Sequence, residues 1–137
     1  MSDFSWQGRS VLIVDDEEDF ARTLASRLEL RGFEARCAFC GEQGLERLAD
    51  ALPDILLLDM RMPDLSGVDV LRRLRVERAI PGGESLPIII ISGHCSEEDS
   101  EQAGKLGIQG YFAKPLDMEA LLAGMRDALE GREHLHV

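Results

Sequence analysis

Three stretches of this chain are apolar at every position: Val11-Leu12-Ile13-Val14, Ile55-Leu56-Leu57-Leu58 and Ile88-Ile89-Ile90-Ile91. A strand with one wet face alternates apolar and polar residues. A short run without alternation buries both faces, as the central strands of a parallel sheet do when helices cover them on either side. Each run ends abruptly on a polar residue, Asp15, Asp59 or Ser92. Ligands of open parallel sheets gather just outside the carboxyl ends of the strands, so these three residues are the first candidates for function.

The segments between the runs read as helices and two lesser strands. Phe20, Leu24 and Leu28 recur every four residues beside Ala21 and Ala25, an amphipathic first helix that Gly32 ends. Residues 33–39 alternate, which predicts a second strand at an edge. A second helix over about 41–51 starts at Cys40, where Ser, Asp or Asn would cap better, and carries Gly44 inside. It is expected to be the least stable helix, by about 1 kcal/mol or more relative to a well-capped version with alanine at position 44. Ser66 and Asp69 form a capping-box pattern for a third helix with Val70, Leu71 and Leu74 inward. Residues 81–85, rich in Gly, read as a flexible loop at the end of the sheet opposite Asp59. Ser96 caps a fourth helix that Gly107 ends, residues 108–113 form a short fifth strand closing on Lys114-Pro115, and Asp117 caps a last helix with Leu121, Leu122, Met125 and Leu129 on one side.

Five strands alternating with five helices make an α/β fold: a doubly wound parallel sheet with right-handed crossovers and helices on both faces. There is no internal repeat or linker, and 137 residues suit a single domain spanning 1–137, with its core at about 10–129. No apolar run approaches the ~20 residues that span a bilayer, and no secretory signal is visible. The net charge of -11, from 26 acidic and 15 basic residues, argues against unaided binding to nucleic acid or to an anionic membrane. Three cysteines, Cys37, Cys40 and Cys95, suit a reducing, cytoplasmic setting; the first two have C-x-x-C spacing, but no second pair completes a zinc site. They read as ordinary thiols. Phe4 and Trp6 read as residues that fold back on the sheet or belong to a mobile end.

The strand ends carry complementary chemistry: Asp15 and Asp16 after the first strand, Asp59 after the third, Ser92 after the fourth and Lys114 after the fifth. Three converging carboxylates repel and raise one another's pKa, so the site calls for a cation or a shared proton; a hard divalent ion, most simply Mg²⁺, answers that need. The three donors of Lys114 and the Ser92 hydroxyl suit a tetrahedral oxyanion such as a phosphoryl group. Residues 15–19 are all acidic, and helix capping alone rarely needs five acids. No glycine-rich phosphate loop follows the first strand, which argues against a dinucleotide or nucleoside triphosphate, and no serine sits in a nucleophile elbow. His94 reads as an exposed loop residue; His134 and His136 suggest nothing firm.

At these residues the chain resembles the receiver (CheY-like) domains of two-component response regulators. The resemblance rests on Val14-Asp15-Asp16, on Leu58-Asp59-Met60-Arg61-Met62-Pro63-Asp64-Leu65-Ser66-Gly67, on Ser92-Gly93 and on Lys114-Pro115, and covers about residues 10–129. It implies the flavodoxin-like strand order 2-1-3-4-5 and a phosphorylation-dependent switch. Asp59 would accept a phosphoryl group from a histidine kinase or phosphotransfer protein. Asp15, Asp16, Asp59 and the backbone carbonyl of Arg61 would serve Mg²⁺, Asp15 mainly through a metal-bound water. Lys114 would pair with the phosphoryl group, Ser92 would swing to hydrogen-bond it, and Tyr111 would turn inward as Ser92 moves. A cis Lys114-Pro115 bond is expected. Such a chain is no enzyme beyond its own phosphotransfer and slow self-dephosphorylation. Its output face, for an effector or a second copy, would be built by the fourth helix, fifth strand and last helix around Ala103, Leu106 and Tyr111. No output domain follows the last helix, so output is expected in trans or from a larger parent protein.

Two other classes compete. An aspartyl-phosphate phosphohydrolase of the haloacid dehalogenase type also places a nucleophilic Asp after a strand, but needs an acid two residues later, where this chain has Arg61. A receiver-like scaffold indifferent to phosphorylation has no need for the acid pair, Ser92 and Lys114 together.

Overall fold

The structure, a computed structural model, describes residues 4–131; His134 and His136 lie outside them. In chain order the elements are β1 (Ser10–Val14), α1 (Glu18–Glu29), β2 (Glu34–Ala38), α2 (Gly41–Asp50), β3 (Ile55–Leu58), α3 (Gly67–Arg75), a 3-10 turn (Gly83–Ser85), β4 (Ile88–Ser92), α4 (Glu97–Leu106), β5 (Gly110–Ala113) and α5 (Met118–Leu129). The five strands pair in parallel in the order β2-β1-β3-β4-β5. The three apolar runs are the three inner strands, and the alternating one, β2, is an edge.

Alternate side chains of the inner strands enter two separate cores. Leu12, Val14, Leu56, Leu58, Ile88 and Ile90 pack against α2, α3 and α4 through Leu48, Val70, Leu71, Leu74 and Ala103. Val11, Ile13, Ile55, Leu57, Ile89 and Ile91 pack against α1 and α5 through Leu24, Leu28, Leu121 and Met125. Full burial of such side chains contributes roughly 1.5–3 kcal/mol each, which makes the inner strands the rigid part of the molecule. The amino-terminal aromatics fold back rather than trailing away: Trp6 stacks on Phe33 with ring centres 5.2 Å apart, and Phe4 meets Trp6 edge-on at 4.5 Å.

Three expectations need correction. First, α2 has no side-chain cap from Cys40, but Asp64 supplies one from another element: its carboxylate accepts from the Gly41 N–H at 2.9 Å and the Glu42 N–H at 2.8 Å. Alanine at position 44 would not help either, because its Cβ would lie 2.9 Å from both γ-methyl groups of Val14 in β1. Glycine is there for the close approach of helix to sheet. Second, residues 81–85 are not a loose loop. Gly83–Ser85 form the 3-10 turn, and the Arg75 guanidinium binds the carbonyls of Gly83 and Leu86 at 2.8 Å each and of Gly107 at 3.0 Å. Third, β5 is shorter than the predicted 108–113, since Gln109 pairs with Ile88 partly through its side chain, the Ile88 N–H donating to Oε1 at 2.6 Å.

Candidate functional site

Register decides which side chains meet. Val14 pairs with Leu58 in β3, and Leu58 with Ile90 in β4, so Asp15 and Asp59, each one residue past these partners, leave the sheet side by side. Their backbones remain tied to it: the Asp15 N–H donates to Ala38 O at 3.0 Å, and the Asp59 N–H to Val14 O at 2.9 Å. Asp15, Asp16 and Asp59 each bring a carboxylate oxygen within 4.8 Å of the others. Asp15 and Asp59 are buried, at 2% and 5% exposure, while Asp16 faces solvent.

Burial and proximity have the electrostatic effect expected of such a cluster. Desolvation, followed by the charge of Asp15, pushes the Asp59 carboxyl up to about 7, against the opposing influence of Lys114 and a hydrogen bond from the Arg61 backbone N–H. Asp15 is raised for the same first reason, although Lys114 and the Glu17 N–H pull it down. A buried carboxylate pair held by rigid strands, with Lys114 as the cation acting on it among the described residues, is an electrostatically unsatisfied site. All of its donors are oxygens, a set that fits a hard divalent cation. Among the described residues it is the one group of three or more potential ligand side chains; the cysteines are free and do not join any such group.

Lys114 directly follows β5, its N–H donating to Ser92 O at 3.0 Å, and its bond to Pro115 is cis as expected. Its stem passes Gly93, where a Cβ would sit in ordinary contact, 3.7 Å from the lysine Cδ. Its Nζ stands 2.8 Å from Asp15 and 2.6 Å from Glu17. Desolvation lowers the ammonium's pKa, but the two carboxylates more than offset it and the group is held charged. Ser92, buried at 1%, exchanges hydrogen bonds with the following loop: its hydroxyl donates to His94 O at 3.0 Å and accepts from the His94 N–H at 3.3 Å. His94 itself is exposed. Tyr111 is half-buried and hydrogen-bonded to Cys95; desolvation and that thiol push its hydroxyl up to about 12.

The β3–α3 loop is positioned by close contacts. Gly67 lies so near the chain before it that a Cβ would come within 2.7 Å of the Asp59 carbonyl and 2.9 Å of Met60 Cα. The capping box between Ser66 and Asp69 then starts α3, with both reciprocal bonds at 3.1 Å. Asp16, Arg61, Met62 and Asp99 are among the residues lining an open groove of about 450 Å³ beside the acids, which leaves the site accessible.

The structure therefore brings together Asp15, Asp16, Asp59 and Lys114, with Ser92 on the adjoining strand end and Tyr111 one strand further out. Two contributors escaped sequence reasoning. Glu17 belongs to the acidic run but its bond to Lys114 spans 97 residues, and Asp64 was part of a motif without a role of its own. The surplus of acids at 15–19 was the available signal for the first.

Fold and site together define a doubly wound α/β domain with a cluster of three carboxylates that could hold a cation at the carboxyl edge of its sheet. The chain belongs to the response regulator receiver domain family, whose model matches residues 11–126. It is 36% identical over 119 residues to the transcriptional regulatory protein KdpE of Mycobacterium tuberculosis, covering 87% of this chain and 50% of that protein. It is 33% identical over 120 residues to the regulatory protein AtoC of Escherichia coli, covering 88% of this chain and 25% of AtoC. The chain thus spans half or less of the length of these relatives. Among solved structures, the CheY-like receiver domain protein of Methanospirillum hungatei JF-1 superposes with a TM-score of 0.82 at 25% identity, covering 91% of this chain and 96% of that one. A response regulator from Chloroflexus aurantiacus J-10-fl superposes with a TM-score of 0.80 at 28% identity, covering 90% and 99%.

Proposed function

We propose that this chain is a phosphorylation-dependent signalling switch in which Asp59 is the phosphoacceptor. The observation that carries the reading is the buried Asp59 carboxylate, held by β3 within 4.8 Å of two further carboxylates and under the influence of the Lys114 charge. In the forward step an Asp59 carboxylate oxygen attacks the phosphorus of a phosphohistidine. The phosphorus–nitrogen bond breaks, the imidazole leaves with the electron pair and takes up a proton from solvent, and an acyl phosphate remains. Water attacking the same phosphorus returns the carboxylate and releases inorganic phosphate.

Asp15, Asp16, Asp59 and the Arg61 carbonyl are the proposed ligand set for Mg²⁺, which when bound neutralises charge on the phosphoryl oxygens. Lys114 supplies the remaining positive charge, and Ser92 leaves its bonds with His94 to donate to the phosphoryl group. Tyr111 and the α4–β5–α5 face then shift toward a minor conformer that the modification stabilises. The donor of the phosphoryl group is a histidine kinase or phosphotransfer protein, and an effector, an output domain or a second copy reads the α4–β5–α5 face. The domain spans 1–137 and works in the cytoplasm; no described helix is long and apolar enough to cross a membrane. Arg61, two residues after Asp59, disfavours the phosphohydrolase reading because that chemistry wants an acid there.

The test is phosphorylation of the full chain by a small phosphodonor with Mg²⁺, followed by intact mass. The wild type should gain one phosphoryl group, and Asp59→Asn or a chelator should abolish the gain. Modification that persists in Asp59→Asn would remove Asp59 from the acceptor role.

A further inference from the structure

Lys114 has two ionic partners in the unphosphorylated protein, and they differ in kind. Asp15, at 2.8 Å, is part of the buried acid cluster; Glu17, at 2.6 Å, is 65% exposed against 11% for the lysine. Glu17 occupies the N-cap position of α1, where a short oxygen-bearing side chain ordinarily accepts from the N–H groups of the first turn. Its carboxylate makes no such bond. Asp15 accepts from the Glu17 N–H at 2.9 Å, tying the two acids together locally, and the Glu17 carboxylate, uncommitted to the first turn, reaches Lys114. The same ammonium sits 4.2 Å from the centre of the Phe20 ring, in the first turn of α1. Asp15, Glu17 and Phe20, all from one short segment, thus surround a single lysine.

An ammonium has three donors and one charge. A phosphoryl group arriving on Asp59 must draw on the same charge that Glu17 now holds. We propose that Glu17 is a positioning residue: it holds Lys114 in the unphosphorylated protein and competes with the phosphoryl group for its ammonium, so lowering the stability of the phosphorylated form. This rests on Asp59 being the phosphoacceptor. A partner as exposed as Glu17 shifts an equilibrium by about two- to five-fold, and less in high salt.

The experiment uses the full chain, with beryllofluoride as the acyl-phosphate mimic at saturating Mg²⁺, and NMR of the Lys114 ε-methylene in the metal-free protein. Glu17→Gln keeps the shape and removes the charge; it should bind beryllofluoride about two- to five-fold tighter than wild type and shift the Lys114 signals. Glu18→Gln removes an equal charge from the neighbouring residue, whose partner is Arg22 at 3.4 Å, and should change neither readout. Equal or weaker binding by Glu17→Gln overturns the proposal, as does an equal gain in Glu18→Gln, which would mark plain charge repulsion. Unmoved Lys114 signals in Glu17→Gln overturn it too. If wild type fails to bind beryllofluoride, the phosphoacceptor reading falls and the competition with it; if wild type binds and Glu17→Gln is unchanged, only the role of Glu17 falls.

Discussion

Asp59 is where residue-level physics makes the sharpest demand. Its folded-state pKa, raised to about 7 from an ordinary value of 3.8, means that the folded protein binds a proton that the unfolded chain has already lost. Stability gained from this group is fully present below about pH 4 and is lost as pH rises through about 7. Metal-free protein should therefore lose stability across that window in chemical denaturation, and Asp59→Asn should flatten the profile. Because a cation displaces the same proton, Mg²⁺ affinity should climb over the same range. A flat stability profile in the wild type would show that the carboxyl is ionised and solvated at neutral pH. The acids were legible in the sequence because each terminates a run of buried residues, and a charge at such a place needs a reason. The bond from Glu17 to Lys114 was not, since pattern along a chain reports neighbours and helical faces, not a contact across 97 residues.

At the scale of the element, α2 shows how a local reading fails for a tertiary cause. Cys40 and Gly44 are poor choices by propensity, yet Asp64 caps the helix and Gly44 lets it approach Val14. Desolvation acts upward on the Asp64 carboxyl, but the N–H donors of Glu42 and Gly41 among others outweigh it and hold it down at about 2. Its contribution is present above the ordinary carboxylate range and fades as pH falls through about 2. Asp64→Ala should cost about 1 kcal/mol in urea unfolding, as loss of an N-cap does. Gly44→Ala, which helix propensity alone favours by about 1 kcal/mol, should instead destabilise by about 1 kcal/mol or more, because overpacking against a β-branched side chain in a rigid strand outweighs the gain. Gly67→Ala should be worse, about 2–3 kcal/mol, since its Cβ meets backbone rather than a movable side chain, and it should disturb the loop beside Asp59. Helices with local caps at Ser66, Ser96 and Asp117 were readable from the sequence; the cap on α2 comes from 22 and 23 residues away and was not.

For the whole molecule, the two cores set what can move. The inner strands are buried on both faces, and α1, α3 and α5 each insert four or more buried residues. The buried surface of α4 is limited to Ala103, and behind it stand the half-buried Cys95, Leu106 and Tyr111. Elements with few buried contacts open at the lowest free energy, so α4 is the element that a small perturbation at Ser92, four residues before its cap, can move at least cost. Amide hydrogen exchange should show α4 and the 93–96 loop exchanging well before β1, β3, β4 and α3 in the metal-free protein. Beryllofluoride with Mg²⁺ should then change protection chiefly in that loop, α4 and β5, leaving α1 and α2 nearly as they were. Protection of α4 equal to that of α3, or a response spread evenly over all five helices, would place the mobile element elsewhere. Order of this kind follows from the packing: a sheet clamped between two cores transmits strain without yielding, and the response collects at the helix that contributes one fully buried residue, Ala103, and otherwise rests on half-buried Leu106 and the Gln102 bond to Arg72.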